Sequence, residues 1–198
     1  YGYASKTFHA PLIGGTPGMA LTRVSSSEAG KVHADWPGVR VVSAAKDLLN
    51  DPDIDLVVIA TPNDTHFPLA KAALEAGKHV VVDKPFTVTL SQARELESLA
   101  KHCGRVLSVF HNRRWDSDFL TVRALINEGQ LGEVCYFESH FDRFRPQVRQ
   151  RWREQGGPGS GIWYDLGPHL LDQAVVLFGL PVSITVDLAQ LRPGAQST

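Results

Sequence analysis

Cysteine is scarce in this chain: Cys103 and Cys135 are the only two, far apart and without disulfide or metal-ligand spacing. That usage suits a reducing cytoplasm and excludes a disulfide-stapled scaffold. Excess charge of either sign is missing too, with 20 Lys and Arg against 21 Asp and Glu, so nucleic acid and anionic membranes find no electrostatic footprint. No apolar run approaches the ~20 residues that span a bilayer, and no charged-then-apolar secretory segment opens the chain. Repeats, heptads and low-complexity tracts are absent as well. What remains is an ordinary soluble composition, long enough at 198 residues for one full domain and part of another, with small molecules as the expected partners. Both ends read as cut. The chain begins at Tyr1-Gly2-Tyr3 with a turn and no strand before it, and stops just as a new strand begins, which suggests a fragment of a longer protein.

Along the chain, apolar runs and helical periodicities alternate. A helix is expected from Ser5 to Ile13, limited by Pro11, then strands from Ala20 to Ser25 and Val39 to Val42, with a brief helix from Ala45 to Asn50. Asp55 to Ala60 and Val80 to Asp83 read as fully buried strands, separated by a helix from His66 to Ala76 that Gly77 stops. The helix from Leu90 to His102 ends at Gly104 and feeds a strand from Val106 to Val109. Such βαβα alternation demands a parallel sheet covered by helices on both faces, the doubly wound plan, here with its first strand absent. Beyond Phe110 the texture changes, which puts a domain boundary near residues 110–118 and divides the chain into a doubly wound domain at residues 1–112 and part of an α+β domain at residues 113–198. The second part offers a helix from Phe119 to Glu128, strands at Cys135 to Phe141 and Val182 to Leu188 for a mostly antiparallel sheet, and a helix from about Asp165 to Phe178.

Five segments carry chemistry. Val80-Val81-Val82-Asp83-Lys84-Pro85 delivers a lysine at the carboxyl end of a buried parallel strand, where ligands of open α/β sheets collect. Pro85 disfavours helix at the preceding residue, so Lys84 stays extended towards the crevice. Gly2, before a helix start, suits the end of a phosphate-binding turn. About twenty residues on, Ser25 and Ser26 with Lys31 suit a ribose 2′-phosphate, whereas Glu28 suits a free ribose hydroxyl, so the lean is to NADP with NAD open. The serines serve equally as caps of the next helix. Ala60-Thr61-Pro62-Asn63 can line the coenzyme's diphosphate and nicotinamide edge, with Asp64 or Thr65 capping the helix that follows. Finally, Asp165, His169 and Asp172 share a helix face, an arrangement that fixes a proton-handling imidazole, although a metal site or a plain cap and core histidine uses the same residues. The metal reading lacks a companion ligand set.

Together these motifs resemble the Gfo/Idh/MocA oxidoreductase family, through Gly2, Ala60-Thr61-Pro62-Asn63 with His66, Asp83-Lys84-Pro85, Asn112-Arg113-Arg114-Trp115-Asp116, and the segment from Asp165 through Gly167 and His169 to Asp172. The family's usual residue before the lysine is Glu, so Asp83 is a variation. The resemblance implies a Rossmann domain followed by an α/β domain whose open sheet face forms dimer or tetramer contacts, and coenzyme contacts from the motif residues, His66 and Lys84 included. It also implies that Lys84 binds the reacting oxygen, His169 exchanges the proton and Asp165 orients substrate or His169. The activity implied is hydride transfer between NAD(P) and a sugar, polyol or related compound. Two rivals are a glycosidase-like enzyme using bound NAD and a non-catalytic nucleotide sensor. The arginines from Arg143 to Arg153 read as solvated or as an interface, with cations set near an acidic or phosphorylated substrate as the alternative.

Overall fold

In the computed structural model, residues 1–142 and 144–197 are described, in two compact units, Tyr1–Phe110 and His111–Thr198. In the first unit, parallel strands β1 (Arg23–Ser25) and β2 (Arg40–Val42) pair as one sheet. Strands β3 (Leu56–Ile59), β4 (His79–Asp83) and β5 (Leu107–Phe110) form a second parallel sheet in the order β3-β4-β5. Parallel neighbours need crossovers, and helices supply them: α2 (Ala29–Asp35), α3 (Ala45–Leu49), α4 (Asn63–Glu75) and α5 (Leu90–Cys103). A largely apolar cleft of about 460 Å³ is walled by both β1 and β3. It separates the two sheets.

The core forms where the valine runs meet the helices. Register pairs Val57 with Val80 and Ile59 with Val82, and Ala70, Ala73 and Leu74 of α4 close over them beside Leu96 and Ala100 of α5. Thr89 opens α5 with a reciprocal capping box to Gln92, and Gly104, left-handed at φ 62°, ends it.

Several element boundaries differ from the sequence reading. The first helix runs through Pro11: a π turn over Ser5–His9 precedes α1 (Ala10–Gly15), and the wide turn gives up the ladder bond that a proline cannot make. Helix α4 begins at Asn63 rather than His66, so Asp64 and Thr65 lie inside its first turn and neither caps it. The Thr65 hydroxyl donates to the Pro62 carbonyl instead, at 2.7 Å.

The second unit holds α6 (Ser117–Asn127) and α7 (Ile162–Phe178). Helix α7 starts three residues before the expected Asp165, because Gly161 takes φ 98°, a conformation that glycine adopts readily, and its carbonyl accepts the Asp165 N–H at 3.1 Å. No strand forms at residues 135–141 or 182–188 among the described residues. A strand exists only through a ladder partner, and neither segment finds one among the described residues.

Candidate active site

Three loops leave the carboxyl ends of β3, β4 and β5 of the first unit, and the first two carry Ala60, Thr61, Pro62 and Lys84. After β3, the Thr65 hydroxyl donates its only proton to Pro62, so the 2.6 Å contact between the Thr61 and Thr65 hydroxyls is a donation from Thr61. Thr61 Oγ1 thereby keeps only acceptor capacity for a ligand. Asn63 is buried at the start of α4.

After β4, Lys84 is half-buried and its N–H donates to Asp83 Oδ1 at 2.8 Å. The Lys84-Pro85 peptide bond is cis. Burial pushes the Asp83 carboxyl up, but His9, the Lys84 N–H and the Lys84 charge outweigh it and hold the group below the ordinary carboxylate range. His9 is buried on the helical stretch opened by Ser5. Its Nε2 stands 3.8 Å from Asp83 Oδ2, an ion-pair distance rather than a hydrogen bond, and its ring lies 4.2 Å from that of Phe110. Sequence reading missed His9. The signal was there, since Ser5, His9 and Ile13 fall on one helix face.

His66 is only 1% exposed. Its Nδ1 lies 2.8 Å from the Pro85 carbonyl and its Nε2 3.0 Å from the Thr61 carbonyl, so backbone takes both nitrogens. A ring so buried, with both polar atoms facing backbone carbonyls, ties the two loops together.

On the side of the first unit that begins the chain, the Gly2 carbonyl accepts the Lys6 N–H at 3.0 Å, and a Cβ built on Gly2 would meet nothing within 4 Å. Neither packing nor backbone conformation requires glycine there. Ser25 ends β1 and Ser26 follows it, with Ser25, Ala60 and Thr61 all on the cleft wall. Ser26 Oγ accepts the Glu28 N–H at 3.1 Å, and Lys31 pairs with Glu28 at 2.7 Å, both side chains exposed. The lysine is therefore already partnered, by a pair of the weak surface kind.

In the second unit, Asp165 and His169 stand one turn apart on α7. His169 is buried with the Phe141 ring edge-on at 6.3 Å, and the Asp165 carboxylate lies 3.8 Å from Arg153. Asp172 does not join them. Arg114 forks onto both of its oxygens at 2.6 and 2.7 Å, with His111 at 3.8 Å. That contact raises the Arg114 guanidinium above its usual value. The arginine loop also has a centre that sequence reading missed: buried Glu154, which accepts from the Arg149 N–H, Arg151 and Arg192 at 2.8 to 3.0 Å. Those bonds, led by the Arg149 N–H, outweigh burial and pull its carboxyl down to about 2. An acid inside a run of arginines was the available signal. Arg143 lies outside the described residues.

The family model for an oxidoreductase family with an NAD-binding Rossmann fold matches residues 1–111, and that for the GFO/IDH/MocA C-terminal domain matches residues 119–198. Among curated relatives, YdgJ of Escherichia coli, described as an uncharacterized oxidoreductase, is 82% identical over 100% of this chain and 57% of its own length. The scyllo-inositol 2-dehydrogenase (NADP(+)) IolW of Bacillus subtilis is 39% identical over 100% of this chain and 55% of its own. A solved oxidoreductase structure from Yersinia pestis, YPO2259, superposes with a TM-score of 0.93 at 72% identity, covering 100% of this chain and 56% of that one. The chain thus spans about half the length of the curated relatives it matches.

Proposed function

This chain belongs to the Gfo/Idh/MocA oxidoreductase family, and on that footing we propose that the protein transfers hydride between NAD(P) and the CH–OH carbon of a sugar, polyol or related compound. The observation that carries the reading is Lys84, half-buried at the carboxyl end of a buried parallel strand and beside the Thr61 loop.

A nicotinamide coenzyme supplies the hydride acceptor or donor. The residues present fit such a group: Gly2 leaves open space before a helix start, while Ser25, Ala60 and Thr61 line the cleft wall, and Pro62 and Asn63 continue that loop. The first unit is then the dinucleotide-binding domain and the second the substrate domain. Lys84 stabilises negative charge on the reacting oxygen and stands close to the coenzyme. His169 takes the hydroxyl proton in oxidation and returns it in reduction, and Asp165 orients the imidazole or the substrate. For the coenzyme we favour NADP: Ser25, Ser26 and Lys31 suit a 2′-phosphate, breaking the exposed Lys31–Glu28 pair costs about 0–1 kcal/mol, and IolW is named for NADP(+). The inositol in that relative's name supports a polyol-like substrate. A cytoplasmic dimer or tetramer formed through the second unit belongs to the same reading.

The test follows nicotinamide absorbance with the full-length protein, NADP⁺ and NAD⁺, over a panel of sugars and polyols. Turnover that falls roughly 10²–10⁴-fold in Lys84→Ala is expected. Turnover unchanged in that variant removes Lys84 from the chemistry, and no turnover with any substrate sinks the enzyme reading.

A further inference from the structure

Lys84 is fixed on its upstream side by the strand that ends at Asp83 and by its own N–H on Asp83 Oδ1. Downstream, the chain leaves through buried Pro85, whose carbonyl meets His66 Nδ1 at 2.8 Å. The same ring meets the Thr61 carbonyl through Nε2 at 3.0 Å. Its position on α4 is held by the core, where Ala70, Ala73 and Leu74 of that helix are fully buried. One rigid side chain therefore spans the loops that follow two adjacent strands, β3 and β4.

We propose that His66 is a positioning residue that sets Lys84 through Pro85 and the coenzyme-facing loop through Thr61, acting without touching substrate or coenzyme. The inference rests on the reading of Lys84 and Thr61 given above. Its chemistry follows from donor counting. Two carbonyl oxygens accept, so a doubly protonated ring serves both loops, while a neutral ring serves one and leaves the other carbonyl facing a lone pair. A buried carbonyl without its donor is destabilised enough for the loop to shift in search of another. A displacement of about 1 Å at a reacting group costs up to roughly 10²-fold in rate, so a loose Pro85 is a slow enzyme even when the protein is folded.

The two bonds can be kept one at a time. In His66→Asn the amide nitrogen occupies the place of Nδ1 and serves Pro85; in His66→Gln it reaches the place of Nε2 and serves Thr61. With the full-length protein, each variant is assayed for kcat at saturating coenzyme and substrate, well below its melting temperature. Coenzyme Kd is measured separately by nicotinamide fluorescence. The expected result is a crossover: Asn keeps kcat about tenfold above Gln, while Gln binds coenzyme about tenfold more tightly than Asn. A merely structural histidine would lower the melting temperature of both and split neither constant. Equal kcat values, or Gln above Asn, overturn the inference. Lys84→Ala is run alongside: if that variant keeps full turnover, the reading of Lys84 has failed, whereas loss of turnover in Lys84→Ala without the crossover leaves that reading standing and removes only His66.

Discussion

The two units treat the same kind of apolar pattern in opposite ways. In the first, each valine strand finds its neighbour in the next strand along the chain, as Val57 pairs with Val80 and Val80 with Leu107, and α4 and α5 roof the product. In the second, Tyr136 and Phe137, then Val182, Ile184 and Val186, sit in segments with strand-like patterning yet remain outside any ladder and largely exposed. Alternation marks the two faces of a strand and says nothing about its partner. Where a βαβ unit is complete the partner is supplied locally; in an antiparallel sheet it can come from anywhere in the chain.

Core truncation tests that contrast most severely. Leu74 is fully buried among the valine strands, so Leu74→Ala removes about 2–5 kcal/mol, whereas Ile184→Ala, at an exposed position, changes stability by less than about 0.5 kcal/mol. Urea midpoints of the 198-residue chain measure both. A cost at Ile184 as large as that at Leu74 would break the contrast, because it would mean that the row is covered.

The next effect belongs to Glu154, which gives the arginine loop of the second unit a polar centre where the first unit has an apolar one. Replacing it by Gln weakens the acceptor of three donors and costs about 1–3 kcal/mol. The pH dependence has a definite sign. Because the folded value is depressed from 4.5 to about 2, the contribution is complete above 4.5, declines as pH falls and is gone below about 2. Protection of the Arg149 amide against hydrogen exchange should therefore fall over that window in the wild type and stay low and flat in Glu154→Gln. Protection that does not change between pH 6 and 3 defeats the assignment, since it would place the loop's anchor elsewhere.

How far the sequence could be read follows the same divide. The strand at Val80 and the helix from Leu90 were legible because valine runs, a periodic apolar face and a terminal glycine are local signals. So was Lys84 at a strand end. Helix starts were less so: Asp165 has the look of a cap, yet Gly161 lets α7 begin earlier, and Thr65 bonds a carbonyl where a cap would bond an amide. The role of His66 was illegible for a different reason. Its motif suggests a ligand contact, while its use depends on two carbonyls, one of them nineteen residues away, and backbone acceptors leave no trace in side-chain identity. His9 and Asp83, or Arg114 and Asp172, are hidden likewise: each pair joins elements distant in sequence.

Two glycines sharpen the comparison at its small end. A Cβ on Gly167 would come within 2.7 Å of the Trp163 ring on the preceding turn of α7, so alanine there forces the indole to move. Overpacking of about 1–3 kcal/mol is set against a helix-propensity gain near 1 kcal/mol, and the net is a modest loss of stability. At Gly2 no protein atom stands within 4 Å of the same probe, so Gly2→Ala leaves the urea midpoint where it was. If the open space before that helix belongs to a coenzyme phosphate, the methyl group intrudes only when ligand is present, and coenzyme Kd rises by roughly tenfold or more, about 1.4 kcal/mol, with stability untouched. A Gly2→Ala protein that binds coenzyme as tightly as the parent would show that the glycine is an ordinary turn residue.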